Sequence, residues 1–107
     1  MKILLIFLSE TDQHGDVPLY EAVIRKLAHT DVAGATVLRG IMGFGAHHKV
    51  HRDRLFGVPD DRPIIIAVSD VEERLRAAVP IIRTLVPDTP ILLLDAESFQ
   101  PLGYKLP

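Results

Sequence analysis

Three runs in this 107-residue chain are apolar at every position: Ile3–Leu8, Ile64–Val68 and Ile91–Leu94. Each is strand length, too short for a helix that buries itself. Side chains alternate across a strand, so an unbroken apolar run presents an apolar surface on both faces of its sheet. Such strands are stable when both faces are covered. That requirement limits the fold more than any other feature of the chain.

Between the runs lie two helical patterns. Tyr20, Val23, Ile24 and Leu27 recur at helical spacing, with Asp16 placed to cap the helix and Pro18 near its first turn. His14-Gly15-Asp16 before them is a turn signal, and the helix is expected to end near Thr30-Asp31. Glu21 and Arg25 form an i,i+4 pair on its outer face. Asp70-x-x-Glu73 reads as a capping box for the second helix, whose buried face is Val71, Leu75, Ala78, Ile82 and Leu85. Pro80 is expected to kink that helix, and Pro87 to end it.

A further strand spans Ala35–Met42, with Thr36, Val37 and Ile41 supplying β-branched residues. Gly40 and Gly43 interrupt it, which predicts a bulge, a bend or a close backbone approach. Residues 45–61 carry no regular pattern and read as a flexible loop, and 96–107 as an irregular tail. The order is β-α-β, loop, β-α-β in one domain over 1–107. No helix joins the second and third strands, so they should be antiparallel neighbours. Right-handed crossovers then give an α+β, ferredoxin-like split βαβ: a four-stranded antiparallel sheet with two helices on one face. The helices cover only that face. A homo-oligomer is the simplest cover for the other, since the twelve residues of the tail are few for the task.

Composition narrows the function. With 12 basic and 14 acidic side chains the net charge is −2, which argues against a general nucleic-acid-binding field. The RNA-recognition module shares this strand order but needs aromatics on its central strands, and Ile64–Val68 has none. Cysteine is absent, so disulfides, thiol catalysis and cysteine-ligated zinc are excluded. No apolar run approaches membrane-spanning length, and Ile3–Leu8 is too short for a signal-peptide core. The expectation is a soluble cytoplasmic chain.

Candidate chemistry concentrates in Gly34–Arg54. Three of the seven glycines are Gly40, Gly43 and Gly45, and three of the five histidines are His47, His48 and His51. Closely spaced glycines let backbone N–H groups approach an anion, although this spacing matches neither a dinucleotide fingerprint nor a P-loop. His47, His48 and His51, with Asp53, could hold a divalent metal, but a solvated basic loop explains them more simply. Lys49, Arg52 and Arg54 suit phosphates or an acidic partner. Glu10, Asp12, His14 and Asp16 crowd the end of the first strand, where a polar turn is the plainer reading than an acid–base site. No local motif for nucleophilic catalysis is recognisable, so the expectation is a protein that is not an enzyme.

The segments Pro18-Leu-Tyr-Glu-Ala22 and Ala33-Gly-Ala-Thr-Val-Leu-Arg-Gly-Ile-Met-Gly-Phe-Gly45 resemble the PII-like family catalogued as the domain of unknown function DUF190. Ser9-Glu10, His14-Gly15 and Pro63 fit its pattern, and the resemblance spans about residues 3–95. It implies a ferredoxin-like homotrimer, as in PII signalling proteins and the CutA group. It further implies an adenine nucleotide, or another small anion, in the cleft between subunits. Gly34, Ala35 and Thr36 of one chain would face Gly43, Phe44, Gly45 and His47 of the next. Residues 46–61, with His48, Lys49, His51, Arg52 and Arg54, would form the loop that contacts a target such as a membrane transporter. PII proteins carry glycines and a lysine after the second helix, whereas this chain has Pro87-Asp-Thr-Pro90. The alternatives are a CutA-like divalent-metal-binding protein and an interaction domain that takes no ligand. No cofactor is implied.

Overall fold

The computed structural model describes residues 1–44, 51–52 and 62–99, with the backbone alone for 51 and 52. Four strands, β1 (Lys2–Ser9), β2 (Ala35–Arg39), β3 (Pro63–Asp70) and β4 (Ile91–Asp95), form one antiparallel sheet. Its order is β2-β3-β1-β4. Helix α1 (Leu19–Leu27) links β1 to β2, and α2 (Glu72–Arg83) links β3 to β4. This is the split βαβ arrangement that the lack of a helical sequence pattern between the second and third strands predicts. Among the described residues, no helix is long and apolar enough to cross a membrane.

The register divides the apolar runs cleanly. Ile6 lies opposite Ile66 on β3 and Ile91 on β4, and Ile66 lies opposite Val37 on β2. Leu4, Ile6, Leu8, Ile64, Ile66 and Val68 are buried under the helices, with Val23, Leu27, Leu75 and Ile82 packed against them. One residue along each strand, the side chains turn to the opposite face. There the register aligns Ile3, Leu5 and Phe7 with Ile65 and Ala67, and with Leu38, Leu92 and Leu94 at the edges. Leu38, Leu92 and Leu94 are 52%, 44% and 43% exposed. The second face is therefore apolar and open, and Phe99 at the end of the described chain also stands exposed.

Local details depart from expectation in four places. First, α1 is not capped by Asp16. The residue before the helix is Pro18, which makes no side-chain cap, and the first free N–H of the helix, Leu19, donates to the Asp12 carbonyl at 2.7 Å. Asp16 belongs instead to a small hairpin in which Gln13–His14 pairs with Val17–Pro18. Gly15 opens its two-residue turn at φ 61, a left-handed conformation that favours glycine. Second, the buried stripe of α1 is Leu19, Val23 and Leu27, with Tyr20 and Ile24 only partly covered.

Third, Asp70 and Glu73 do not form a capping box. The residue before α2 is Val71, half exposed and without a side-chain cap, so Val71 is no part of the buried face, which consists of Leu75, Ala78 and Ile82. The helix continues through Pro80 to Arg83, ahead of Pro87. Fourth, residues 45–61 are not wholly patternless, because Met42–Gly43 pairs antiparallel with His51–Arg52. The remainder of that segment, and residues 100–107 of the tail, lie outside the described residues. Ala96–Phe99 carries no helix or strand.

Ion pairs fasten the periphery. Lys2 at the start of β1 bridges Asp95 on β4 and Glu72 on α2, the latter at 3.3 Å. Glu21–Arg25 forms as the spacing predicts, at 3.1 Å. Arg83 donates to the carbonyls of Val86 and Thr89, closing the turn after α2. All are at or near the surface, where such pairs contribute little individually.

Candidate functional site

The two halves of the glycine-rich stretch sit at opposite ends of the edge strand β2. Gly34 precedes the strand, and Ala35 and Thr36 begin it. Beside them, Ile24 and Leu27 of α1, Ala28 just after it and residues 32–35 enclose a shallow concavity of about 320 Å³. Apart from Gly34 itself and its chain neighbours, no atom lies within 4 Å of the point where a side chain at this position would begin, so the glycine leaves this rim open. Thr36, opposite Ala67, belongs to the open apolar face, and Ala35, opposite Val68, to the helix side.

Asp70 fixes the position of this rim. Its carboxylate is buried, 7% exposed, and accepts hydrogen bonds from the Val71 N–H at 2.7 Å and the Ala33 N–H at 2.9 Å. Arg74 lies 3.6 Å away. The bond from Val71, then that from Ala33, and the Arg74 charge hold the Asp70 carboxyl below the ordinary aspartate range. A carboxylate that the sequence pattern assigns to helix capping thus anchors the segment leading into Gly34.

A pH dependence follows. Because the folded-state pKa is lowered, the stability contributed by Asp70 is complete above about pH 5 and is lost as pH falls through that lowered value. Asp70→Asn is expected to unfold at lower urea at pH 7 and to flatten the acid side of the stability profile. Urea midpoints at neutral and acidic pH measure this, and an unchanged profile in the variant would assign the acid sensitivity elsewhere.

At the far end of β2, glycine serves close packing. Gly40 donates its N–H to the Pro63 carbonyl at 2.7 Å, and a Cβ at position 40 would fall 2.5 Å from Pro63 Cγ. A Cβ on Gly43 would lie 3.1 Å from the same atom. The expected close backbone approach is therefore made against Pro63. Gly43 pairs with His51, and Met42 with Arg52. Ile41, Met42 and Phe44 are 79%, 57% and 65% exposed. Gly45, His47, His48, Lys49, Asp53 and Arg54 lie outside the described residues.

Beside this root, Glu10 carries two arginines. Arg62 Nε reaches Glu10 Oε2 at 2.9 Å, and Arg39 Nε reaches Oε1 at 2.8 Å. Neither pair is legible locally, because the three residues are far apart in the chain. Asp12 is occupied in a turn, accepting from the Ser9 N–H at 3.0 Å. Among the described residues, no cluster of three histidine, aspartate or glutamate side chains could hold a metal.

Within one chain the two glycine segments do not meet. β2 alone separates them by about 13 Å, given a rise of about 3.3 Å per residue.

Against known proteins, residues 1–98 match the model of DUF190, "Uncharacterized ACR, COG1993". The chain belongs to the DUF190 family. Two relatives are described as UPF0166 proteins. That of Methanocaldococcus jannaschii is 28% identical over 105 residues, covering 97% of this chain and 96% of its own. That of Aquifex aeolicus is 29% identical over 75 residues, covering 70% and 71%. Among solved structures, the DUF190 chain resembles CPII, a nitrogen regulatory PII-like protein from Thiomonas intermedia K12 bound to ADP, AMP and bicarbonate. The TM-score is 0.65 over 94% of this chain and 90% of that one, at 20% identity. The likeness establishes a PII-like, ferredoxin-like fold.

Proposed function

We propose that this DUF190 protein is a PII-like sensor, not an enzyme, that works as a cytoplasmic homotrimer. It binds a small anionic ligand, an adenine nucleotide first among them, in the clefts between subunits. The observation that carries this reading is the separation of the two glycine segments along an edge strand. Segments at opposite ends of β2 in one chain come together when neighbouring chains pack with their edges adjacent. The open apolar face supplies the driving force for that packing.

In such a cleft, Gly34, Ala35 and Thr36 of one subunit face Gly43, Phe44, Gly45 and His47 of the next. Ligand binding then alters residues 46–61 and their fit to a target, such as a membrane transporter. For that, the ligand must bind one arrangement of the loop more tightly than the others. The nucleotides bound to CPII name the compounds to try first. Calorimetry with AMP, ADP and ATP should give a saturable heat with at least one of them. It should weaken in Ala35→Trp, which fills the concavity beside Gly34. No heat with any of the three at millimolar concentration would remove the nucleotide reading.

A further inference from the structure

Among the described residues, Asp70 is the one buried polar or charged side chain. The link it reaches, residues 28–33, runs from the end of α1 towards Gly34 and β2. The first hydrogen bonds of this link are local and only continue the helix end. Ala28 N–H donates to the Ile24 carbonyl at 3.0 Å, His29 N–H to Lys26 at 3.1 Å and Thr30 N–H to Leu27 at 2.9 Å. The Thr30 hydroxyl donates to the same Leu27 carbonyl at 2.6 Å, and the Val32 N–H reaches that hydroxyl at 3.4 Å. Beyond these, the Ala33 N–H donates to Asp70 Oδ2 at 2.9 Å. Among the described residues, that is the one hydrogen bond joining this link to another element.

Apolar contact adds little to that attachment. Val32 is partly buried against the core, whereas Ala28, His29, Asp31 and Ala33 are exposed. A segment with few buried contacts and one long-range bond opens at a lower free energy than the sheet behind it. The bond itself is charge-assisted, the stronger kind. Its acceptor is held firmly from the other side, since Asp70 Oδ1 accepts the Val71 N–H at 2.7 Å and lies 3.6 Å from Arg74. The carboxylate is thus fixed where β3 gives way to α2, and the link is fixed to the carboxylate. Its position matters because the link is also a wall. Val32, Ala33 and Gly34 line the concavity opposite Ile24 and Leu27. A displaced Ala33 changes the width of that concavity and the approach to Gly34.

We propose that Asp70 is the positioning residue of the Gly34 half-site: its bond to Ala33 latches the link in the arrangement that takes ligand, and the unlatched link opens without unfolding the sheet. Both carboxylate oxygens are engaged and the residue is 7% exposed, so Asp70 acts through the Ala33 backbone and not by touching the ligand. A ligand that needs the closed link stabilises it, and occupancy of the rim then reaches the start of α2 through one bond. The effect on affinity rests on the sensor reading, whereas the latch stands without it.

The test is amide hydrogen exchange of the full chain at pH 7, read residue by residue by NMR without urea and in low urea. The Ala33 N–H should exchange at least tenfold faster than that of Ile66, at a rate that low urea leaves unchanged. Asp70→Asn should raise Ala33 exchange at least tenfold more than it raises that of Ile66. Val32→Ala keeps the carboxylate and loosens the link's apolar contact, so it should act with the same selectivity, and it serves if Asp70→Asn does not fold. Ala33 exchange that follows Ile66 in urea and in the variants would mean that the link opens only with the whole fold, and overturns the proposal. Calorimetry with AMP, ADP and ATP tests the effect on affinity. A nucleotide that binds the wild type should slow Ala33 exchange and bind folded Asp70→Asn at least tenfold more weakly, with Asp70→Glu restoring part of the loss. Equal affinity in Asp70→Asn overturns the positioning role. No binding by any of the three removes the nucleotide reading, and exchange alone then decides the latch.

Discussion

Leu92→Glu should convert the proposed homotrimer to monomers. Leu92 lies opposite Leu5 on the open face of the sheet, 44% exposed in a single chain, so glutamate there leaves the helix-side core untouched. In the proposed homotrimer this position, in line with Leu5 and Ala67 across the sheet, would be covered. A carboxylate forced into it loses the leucine's burial, about 1.5–3 kcal/mol, and adds the desolvation of an unpaired charge. A combined loss of about 3 kcal/mol weakens association at least a hundredfold. Light scattering with circular dichroism checks it: the expected variant is folded and monomeric. A wild-type protein that is itself monomeric at high concentration, or a variant that keeps its mass, would show that this face is not an interface.

The second large effect is on folding itself. Ile66 is fully buried at the centre of the sheet, beside Ile6 and Val37. Ile66→Ala removes three carbons from a packed core and leaves a cavity that the surrounding strands and helices fill only in part. The expected cost is about 3–4 kcal/mol. For a domain of this length that is a large share of a total near 5–15 kcal/mol, and a fall in Tm of about 15 °C. Ile65→Ala, one residue away, is the informative contrast. Ile65 faces the open side between Phe7 and Leu38, so its loss should appear as concentration-dependent dissociation. Urea unfolding and light scattering on both variants separate the two faces. Equal effects from both would contradict the division of the sheet.

Much of the fold was legible because its main signals are periodic and local. The apolar runs, the two helical patterns and the lack of a third helical pattern between the second and third strands together specify the strand order. The Glu21–Arg25 pair and the turn at Gly15 were also local, and both are found. The caps were misread for a physical reason. Asp16 and Asp70 have the right chemistry and the right places for capping, but each had a competing use. Asp16 lies in a hairpin that a two-residue turn closes, and Asp70 accepts from the Ala33 N–H, 37 residues away in sequence. Likewise, Val71 has the correct helical spacing and still points away from the core.

The sites divide in the same way. Glycines at 40 and 43 could be flagged for close approach, but only the folded chain shows that Pro63 is what approaches. The histidine-rich segment attracts attention by composition. Arg39 and Arg62 do not, and Glu10 stands out only as one of several polar residues after the first strand, since their pairing depends on three strand ends coming together.

By itself, then, the sequence determined the elements and their order, the demand for apolar cover on both faces of the sheet, and membership of a PII-like family. Period-2 and period-3.6 patterns and short motifs are written in neighbouring residues, and they survive without a fold. Tertiary structure alone decided which carboxylate meets which donor, which side chains face the helices, and that Pro63 is what closes on Gly40 and Gly43. Those facts depend on register, where a shift of a single residue exchanges the two faces of a sheet. Register is set by all the strands and helices packing together.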